Sequence, residues 1–302
     1  MKSTEPVERC DLCGGNRFAP ELDVGDWHLV RCLDCELVCT SPRYTADAIA
    51  VLYAGQYYQN AAGYYRSQLS PASDDDFDIA SAASRVLGHK GRSLDVGCGT
   101  GRLVEAFDRT GFQASGVEPS KMAVEAGRQS GRNISTADLS EVMESSQDCV
   151  TAMHVLEHAI SPKQFLTNCH RVLTPDGLLI LEVPNYASSA SRRLKEKWPS
   201  LYPDTHLFHF TPGVLKKYCN LTGFNIVSIQ KVGGAAFLQS AAHKSFEADA
   251  NGKRSGSSGF RELIWNSRRL IYLIPYARKI VRYLIWQVLG QGEYVRIYAL
   301  KR

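Results

Sequence analysis

Two groups of residues in this 302-residue chain are spaced for chemistry. In the first, His154, Glu157 and His158 fall within five residues, and His206 and His209 follow some fifty positions on. Spacings of i, i+3 and i+4 put the first three on one face if that segment is helical. An imidazole of ordinary pKa, about 6.5, suits removal of a hydroxyl proton near neutrality. His158 or His206 is therefore a candidate general base, with His154, Glu157 and His209 as candidate catalytic partners. A glutamate and a histidine on one turn can equally form a structural cap and a hydrogen-bonded pair. The second group is Cys10-X-X-Cys13 and, after 18 residues, Cys32-X-X-Cys35. It supplies four thiolates for a tetrahedral Zn²⁺. Such a site has no open coordination position, so its expected role is structural. The metal gives about thirty residues the folding energy that a small hydrophobic core cannot. Cys39, just downstream, reads as a buried thiol.

Positioning these groups takes a scaffold, and the pattern of apolar runs describes one. From Ser93 onward, short runs rich in β-branched residues (Ser93–Val96, Ala114–Val117, Cys149–Met153, Leu178–Val183) alternate with segments of helical length. That alternation predicts a parallel, doubly wound α/β sheet. Helix stops fall at Thr174-Pro175-Asp176-Gly177 and Leu221-Thr222-Gly223. Asn225–Val232 and Tyr294–Leu300 read as closing strands. In an open α/β sheet ligands bind beyond the carboxyl ends of the strands, which is where His154 begins. Ahead of the sheet, residues 1–42 form the cysteine module. Residues 43–89 read as a helical connector with paired tyrosines, Tyr57-Tyr58 and Tyr64-Tyr65, and a helix over Phe77–Leu87.

Leu94-Asp95-Val96-Gly97-Cys98-Gly99-Thr100-Gly101 is a strand entering a glycine-rich turn, where missing Cβ atoms let a ligand approach the backbone. Arg102 stands where a dinucleotide fingerprint wants a third-spaced glycine, and the Gly-Lys-Ser/Thr of a phosphate cradle is absent. The loop instead resembles motif I of class I S-adenosylmethionine (SAM) methyltransferases. This resemblance implies a Rossmann-like, mostly parallel, seven-stranded sheet. It also implies cofactor contacts at Asp95, Gly97, Cys98, Gly99 and Gly101, and at Glu118-Pro119, whose acid follows Asp95 by 23 residues and would bind the ribose hydroxyls. Asp138-Leu139 would cap the adenine. Met153-His154-Val155-Leu156-Glu157-His158 is similar to the family's post-strand motif, placing His154 beside the cofactor as well.

Within that class the chain resembles bacterial zinc-ribbon methyltransferases of sugar and polysaccharide modification. The likeness rests on Arg31–Val38, Ser41-Pro42-Arg43, Leu52-Tyr53 and His206-Leu207-Phe208-His209-Phe210-Thr211-Pro212. It implies that Tyr58 closes over the cofactor. It also implies transfer of a methyl group to a hydroxyl of a sugar, nucleotide-linked or glycan-linked, or to a carbon acceptor through an enolate. Ribose O-methyltransferases that hold Mg²⁺ with a Glu-X-X-Glu-His helix and a later His are similar too. By that likeness Glu157, His158 and His206 would bind a divalent ion that lowers the acceptor's pKa. His154 replaces their first acid, and the extra imidazole favours a softer ion than Mg²⁺ or no ion at all.

Charge narrows the partners. Residues 1–43 carry five basic and eight acidic side chains, a poor surface for phosphates, so a nucleic-acid methyltransferase is disfavoured. A SAM-binding scaffold without chemistry is the other alternative, against which the intact histidine cluster argues. Lys253 to the end holds eleven basic and two acidic residues. Arg268, Arg269, Arg278, Lys279 and Arg282 are interleaved with apolar residues there. This predicts a helical insertion, about 240–290, before the last strand, packing on the domain, forming a homodimer contact or lying on an anionic membrane. No apolar run reaches the roughly 20 residues of a membrane span. The amino terminus lacks a secretory apolar core, and with metal-like cysteine pairs that predicts a cytoplasmic protein, peripheral at the inner membrane face if the tail binds lipid.

Overall fold

The computed structural model describes residues 3–54, 71–233 and 292–302. Tyr58 and the basic insertion lie outside the described residues. At the centre is β6 (Arg92–Val96), buried along four of its five residues. Its neighbours are β7 (Gln113–Val117) on one side and β9 (Gln147–Met153) on the other, both parallel to it. Outward from β7 lies β8 (Ile134–Ser135). Outward from β9 lie β10 (Leu173–Pro184), β13 (Tyr294–Lys301) and β12 (Phe224–Val232), completing the order β12-β13-β10-β9-β6-β7-β8. Only β13 runs against the other strands. The long burial of β10, Gly177 through Pro184 without an exposed residue, is what a strand covered on both faces requires.

Helices cover the two faces. On one, α2 (Asp74–Leu87), α3 (Arg102–Thr110) and α4 (Lys121–Gln129) pack Ile79, Ala83, Phe107 and Val124 against Ile180 and Tyr298. On the other, α5 (Pro162–Val172) and α7 (Pro212–Leu221) pack Leu166, Cys169, Leu215 and Tyr218 against Leu179, Leu181 and Val295. Two further helices are short: α1 (Ala46–Ala54) in the connector and α6 (Ser189–Leu194) after β10. Sequence reading begins α2 at Phe77, but the helix starts three residues earlier. There Ser73 and Asp76 form a reciprocal capping box that satisfies the first free amides. Helices α5 and α7 both start with a Ser or Thr cap followed by proline, Ser161-Pro162 and Thr211-Pro212.

The amino-terminal segment makes its own antiparallel sheet from β2 (Phe18–Val24), β3 (Trp27–Cys32) and β4 (Val38–Thr40). The fourth strand of that sheet is β11 (Phe208–His209), lent by the distant part of the chain and paired through Phe208 with Cys39 and His209 with Val38. A two-residue pair, β1 (Thr4–Glu5) with β5 (Arg43–Tyr44), closes the segment. Cys10, Cys32, Cys35 and Leu37 belong to the same buried cluster as Phe208, Phe210, Tyr218, Leu181 and Val295, so the cysteine segment shares the core of the large sheet. Among the described residues no helix is long and apolar enough to cross a membrane.

Candidate active site

The strand order reverses between β6 and β9, and two loops leave the sheet at that switch point. The first is the glycine loop. Gly97 and Gly99 have φ of 68° and 55°, a left-handed backbone that disfavours side chains. A Cβ on Gly97 would stand 2.5 Å from the Val155 side chain, whereas one on Gly99 would meet nothing within 4 Å. Gly97 is thus a packing glycine, and Gly99 turns a bare backbone face to open space. Glu118, buried at the end of β7, accepts hydrogen bonds from the N–H groups of Gly99 (2.9 Å) and Ser120 (3.0 Å). Its neighbour Pro119 is exposed. Asp95, buried behind the loop, accepts from the Thr151 hydroxyl at 2.6 Å, and burial pushes its carboxyl up to about 7. Cys98 is buried under the loop. Asp138 caps the short turn after β8, accepting from Ser140, which holds its carboxyl below the usual range, while Leu139 is buried.

The second loop follows β9. His154 does not lie on a helix with Glu157 and His158, as the spacing predicts. Its φ is 60°, and only Leu156–His158 make a single 3-10 turn before α5 begins at Pro162. The cause is the His154 N–H, which donates to the carbonyl of Glu182 (2.8 Å) and keeps the chain tied to β10. The His154 ring then sits between two carboxylates, 3.6 Å from Glu157 and 3.2 Å from Glu182, and edge-on to Tyr294 at 4.7 Å. Burial works against its charge, but the two carboxylates prevail and lift its pKa to about 10. Glu182 is buried with Arg296 at 2.6 Å, and Arg296 reaches on to Asp75 at 2.9 Å.

Glu157, His158 and His206 converge. One carboxylate oxygen and one nitrogen from each ring all lie within 4.8 Å of one another, and the two rings meet edge to face at 4.6 Å. Glu157 is 1% exposed, yet neither carboxylate oxygen has a hydrogen-bond partner. A buried carboxylate without a hydrogen bond is costly unless cations sit beside it; His154 at 3.6 Å supplies one, and with His158 and His206 on its other side the carboxylate also forms a donor set that suits a divalent ion. His158 Nδ1 lies 3.0 Å from the carbonyl of Thr205. A carbonyl only accepts, so Nδ1 carries the proton and Nε2 is the accepting nitrogen of the neutral ring. Burial lowers the pKa of both rings, and of His206 well below its ordinary value, which keeps them neutral. His209 stands apart. It is buried, its pKa is lowered to about 3 by burial, and its Nε2 lies 3.3 Å from the Thr40 hydroxyl. Residues 206 and 209 are an odd number apart in an extended stretch, so they face opposite ways.

The four cysteine sulfurs also lie within 4.8 Å of one another, with Cys10–Cys35 at 3.4 Å and Cys13–Cys32 at 3.6 Å. A tetrahedral ion with Zn–S bonds near 2.3 Å spaces its sulfurs about 3.8 Å apart, so this set fits zinc. Cys39 is not in it; its thiol is buried and pushed up to about 12. Sequence reading missed Glu182, Arg296 and Thr40. The signal for Glu182 was there: a lone acid inside the apolar run Leu178–Val183.

The family model described as "Methyltransferase domain" matches residues 26–229. A ubiquinone biosynthesis O-methyltransferase from Xanthomonas oryzae pv. oryzae is 34% identical over 122 residues, 37% of this chain and 50% of that protein. One from Bradyrhizobium sp. is 38% identical over 102 residues, 31% of this chain and 40% of that protein. The chain thus spans half or less of the length of these curated relatives. The 1,6-didemethyltoxoflavin-N1-methyltransferase of Burkholderia thailandensis, solved with bound S-adenosylhomocysteine, superposes with TM-score 0.54 at 16% identity, over 93% of this chain and 98% of that one. A SAM-dependent methyltransferase from Archaeoglobus fulgidus gives TM-score 0.50 at 19% identity, over 82% of this chain and all of that one. At these identities the structural likeness is one of fold.

Proposed function

Because this chain belongs to the methyltransferase-domain family and has the fold of SAM-dependent methyltransferases, we propose that it transfers the methyl group of SAM to a hydroxyl oxygen of a sugar. The observation that carries the oxygen acceptor is Glu157, buried without a hydrogen-bond partner beside His158 and His206. The curated relatives are named O-methyltransferases, which supports the same reading. The sugar rests on the resemblance carried by Arg31–Val38 and His206–Pro212. A second acceptor class, a hydroxylated precursor of ubiquinone, is favoured by the names of those relatives.

In this reading Gly99, whose Cβ position is open, would turn its backbone to the cofactor, and Glu118 after β7 would bind the ribose hydroxyls. When bound, SAM supplies a methyl already activated by the sulfonium, so the chain's task is alignment and removal of one proton. Glu157, His158 and His206 would hold a divalent ion, whose Lewis acidity lowers the pKa of the acceptor hydroxyl. Two imidazoles and one carboxylate favour a first-row ion that accepts nitrogen ligands, Co²⁺ or Zn²⁺ best and Mn²⁺ more weakly, over Mg²⁺. His158 keeps its proton on Nδ1, against Thr205, and so has Nε2 to give either to the ion or to the acceptor's proton. Cys10, Cys13, Cys32 and Cys35 would hold a structural Zn²⁺ with no position open to substrate.

Mass spectrometry on the purified protein with SAM, nucleotide-sugars, glycans and quinone precursors tests this reading. Methylation of a sugar hydroxyl, lost on chelation, restored by Mn²⁺ and abolished by Glu157→Gln, is expected. Transfer that survives both chelation and Glu157→Gln would leave His158 as a metal-free base. Transfer only to a quinone precursor would overturn the sugar.

A further inference from the structure

We propose that the four-cysteine segment is the positioning element of the Glu157–His158–His206 cluster, and that Asp11 and Thr40 are the residues through which it acts. The claim rests on the reading of that cluster as the reacting end of the site. The cluster is assembled from two stretches of chain, Glu157-His158 after β9 and His206 before β11. Each stretch is gripped by a different end of the cysteine segment.

Asp11 makes the first grip from inside the first cysteine pair. Its carboxylate accepts from the Ser161 hydroxyl, from the Lys163 N–H at 3.0 Å and from the Tyr218 hydroxyl at 2.9 Å. Ser161 caps α5, whose start fixes where the turn bearing Glu157 and His158 must end. Thr40 makes the second grip, five residues beyond Cys35 and fully buried. Its N–H donates to the carbonyl of Leu207 at 3.1 Å and its hydroxyl to the carbonyl of His206 at 3.0 Å. The two gripped stretches then touch: the Leu207 N–H donates to the Glu157 carbonyl at 2.8 Å, and His158 Nδ1 donates to Thr205. Through these side chains the cysteine segment bonds to both halves, and its apolar side is spent on Phe208, Phe210 and Tyr218. A module meant to recruit a separate partner would keep that side for the partner. Ligating and reacting groups lose function when displaced by fractions of an ångström, so groups that orient them matter nearly as much as the groups themselves.

Thr40→Val keeps the shape and the backbone N–H and removes the hydroxyl; Thr40→Ser keeps the hydroxyl. In the full zinc-loaded chain, Thr40→Val should retain its zinc and its SAM affinity. Its affinity for Mn²⁺ at the Glu157 site, read by electron paramagnetic resonance, should fall about tenfold or more, as for lost outer partners of metal ligands. The kcat should fall with it while the KM for SAM stays, and Thr40→Ser should restore both. Asp11→Asn, which leaves the buried strand untouched, should give the same split if Thr40→Val does not fold. Wild-type Mn²⁺ affinity and kcat in both Thr40→Val and Asp11→Asn would overturn the proposal. If Glu157→Gln binds Mn²⁺ as the wild type does, the cation reading itself is wrong. Amide hydrogen exchange then decides: faster exchange over residues 205–209, with the 97–101 loop unchanged, upholds the positioning role, and unchanged exchange overturns it.

Discussion

The two sides of the switch point are built differently. The side proposed for the cofactor, from Asp95 to Glu118, is one continuous strand–loop–helix–strand unit whose contacts are backbone amides and a carboxylate within 19 residues. The side proposed for the acceptor is gathered from residues 11, 40, 154–158, 182, 205–209 and 294–296, and its contacts are buried charges and side-chain grips across long stretches of sequence. A ligand shared by a whole family can be met by local backbone geometry. An acceptor specific to one enzyme needs parts that vary independently, and distant parts do. The acceptor side should accordingly be the fragile one.

Losing the cysteine site should have the largest effect. Cys35→Ser removes one of the four proposed zinc ligands from within the shared core, and we expect destabilisation above about 4 kcal/mol, with loss of the zinc proposed there, in thermal unfolding. SAM affinity of the protein still folded at low temperature should be little changed; if it falls in step, the two sides are one unit and the contrast fails. Arg296→Met should come next. It leaves Glu182 buried without its guanidinium, at a cost of about 3–5 kcal/mol, while the double variant with Glu182→Gln recovers part of the loss. A double variant no better than the single would show that the pair does not act as such.

On the cofactor side the effects are smaller or depend on pH. Asp95 has a folded pKa raised to about 7. Its protonated form is therefore favoured by folding, and wild-type stability is lost as pH rises from about 4 through about 7. Relative to Asp95→Asn, the SAM-free wild type should have equal unfolding free energy below pH 4 and a lower one above pH 7, by up to about 4 kcal/mol for three pKa units at 1.36 each, read by denaturant titration. A pH-independent difference would refute the shift. Gly99→Ala should be mildest for stability, about 1 kcal/mol for the left-handed backbone. Its methyl would stand on the face proposed to meet the cofactor, so SAM affinity measured by calorimetry should drop while Mn²⁺ binding persists.

The same contrast explains what could be read in advance. The strands, their order of appearance and the glycine loop were legible because each is set by local periodicity and turn chemistry. The cysteine set was legible because metal ligation imposes its own spacing. The histidine segment was half legible. Glu157, His158 and His206 do converge, but the helix inferred from their spacing is absent, because the His154 amide finds a partner on β10 before a helical turn can claim it. His209 looked equivalent to His206 in sequence and faces the other way. Glu182 and Arg296 are cross-strand partners on β10 and β13, 114 residues apart, and a pairing of that range leaves no mark in either segment alone.

The loan of β11 to the cysteine sheet has a consequence for how the chain is made. Strand β4 ends at Thr40, and its partner begins at Phe208. A ribosome adding about 5–20 residues per second takes roughly ten to thirty seconds to cover that distance. Throughout that interval the nascent cysteine sheet carries an open edge at β4, bordered by Cys39 and Val38, ready to pair with whatever strand is nearest. Early capture of zinc would hold the knuckles closed while the sheet waits for its last strand. Translation speed and metal supply would then govern the yield of folded protein together.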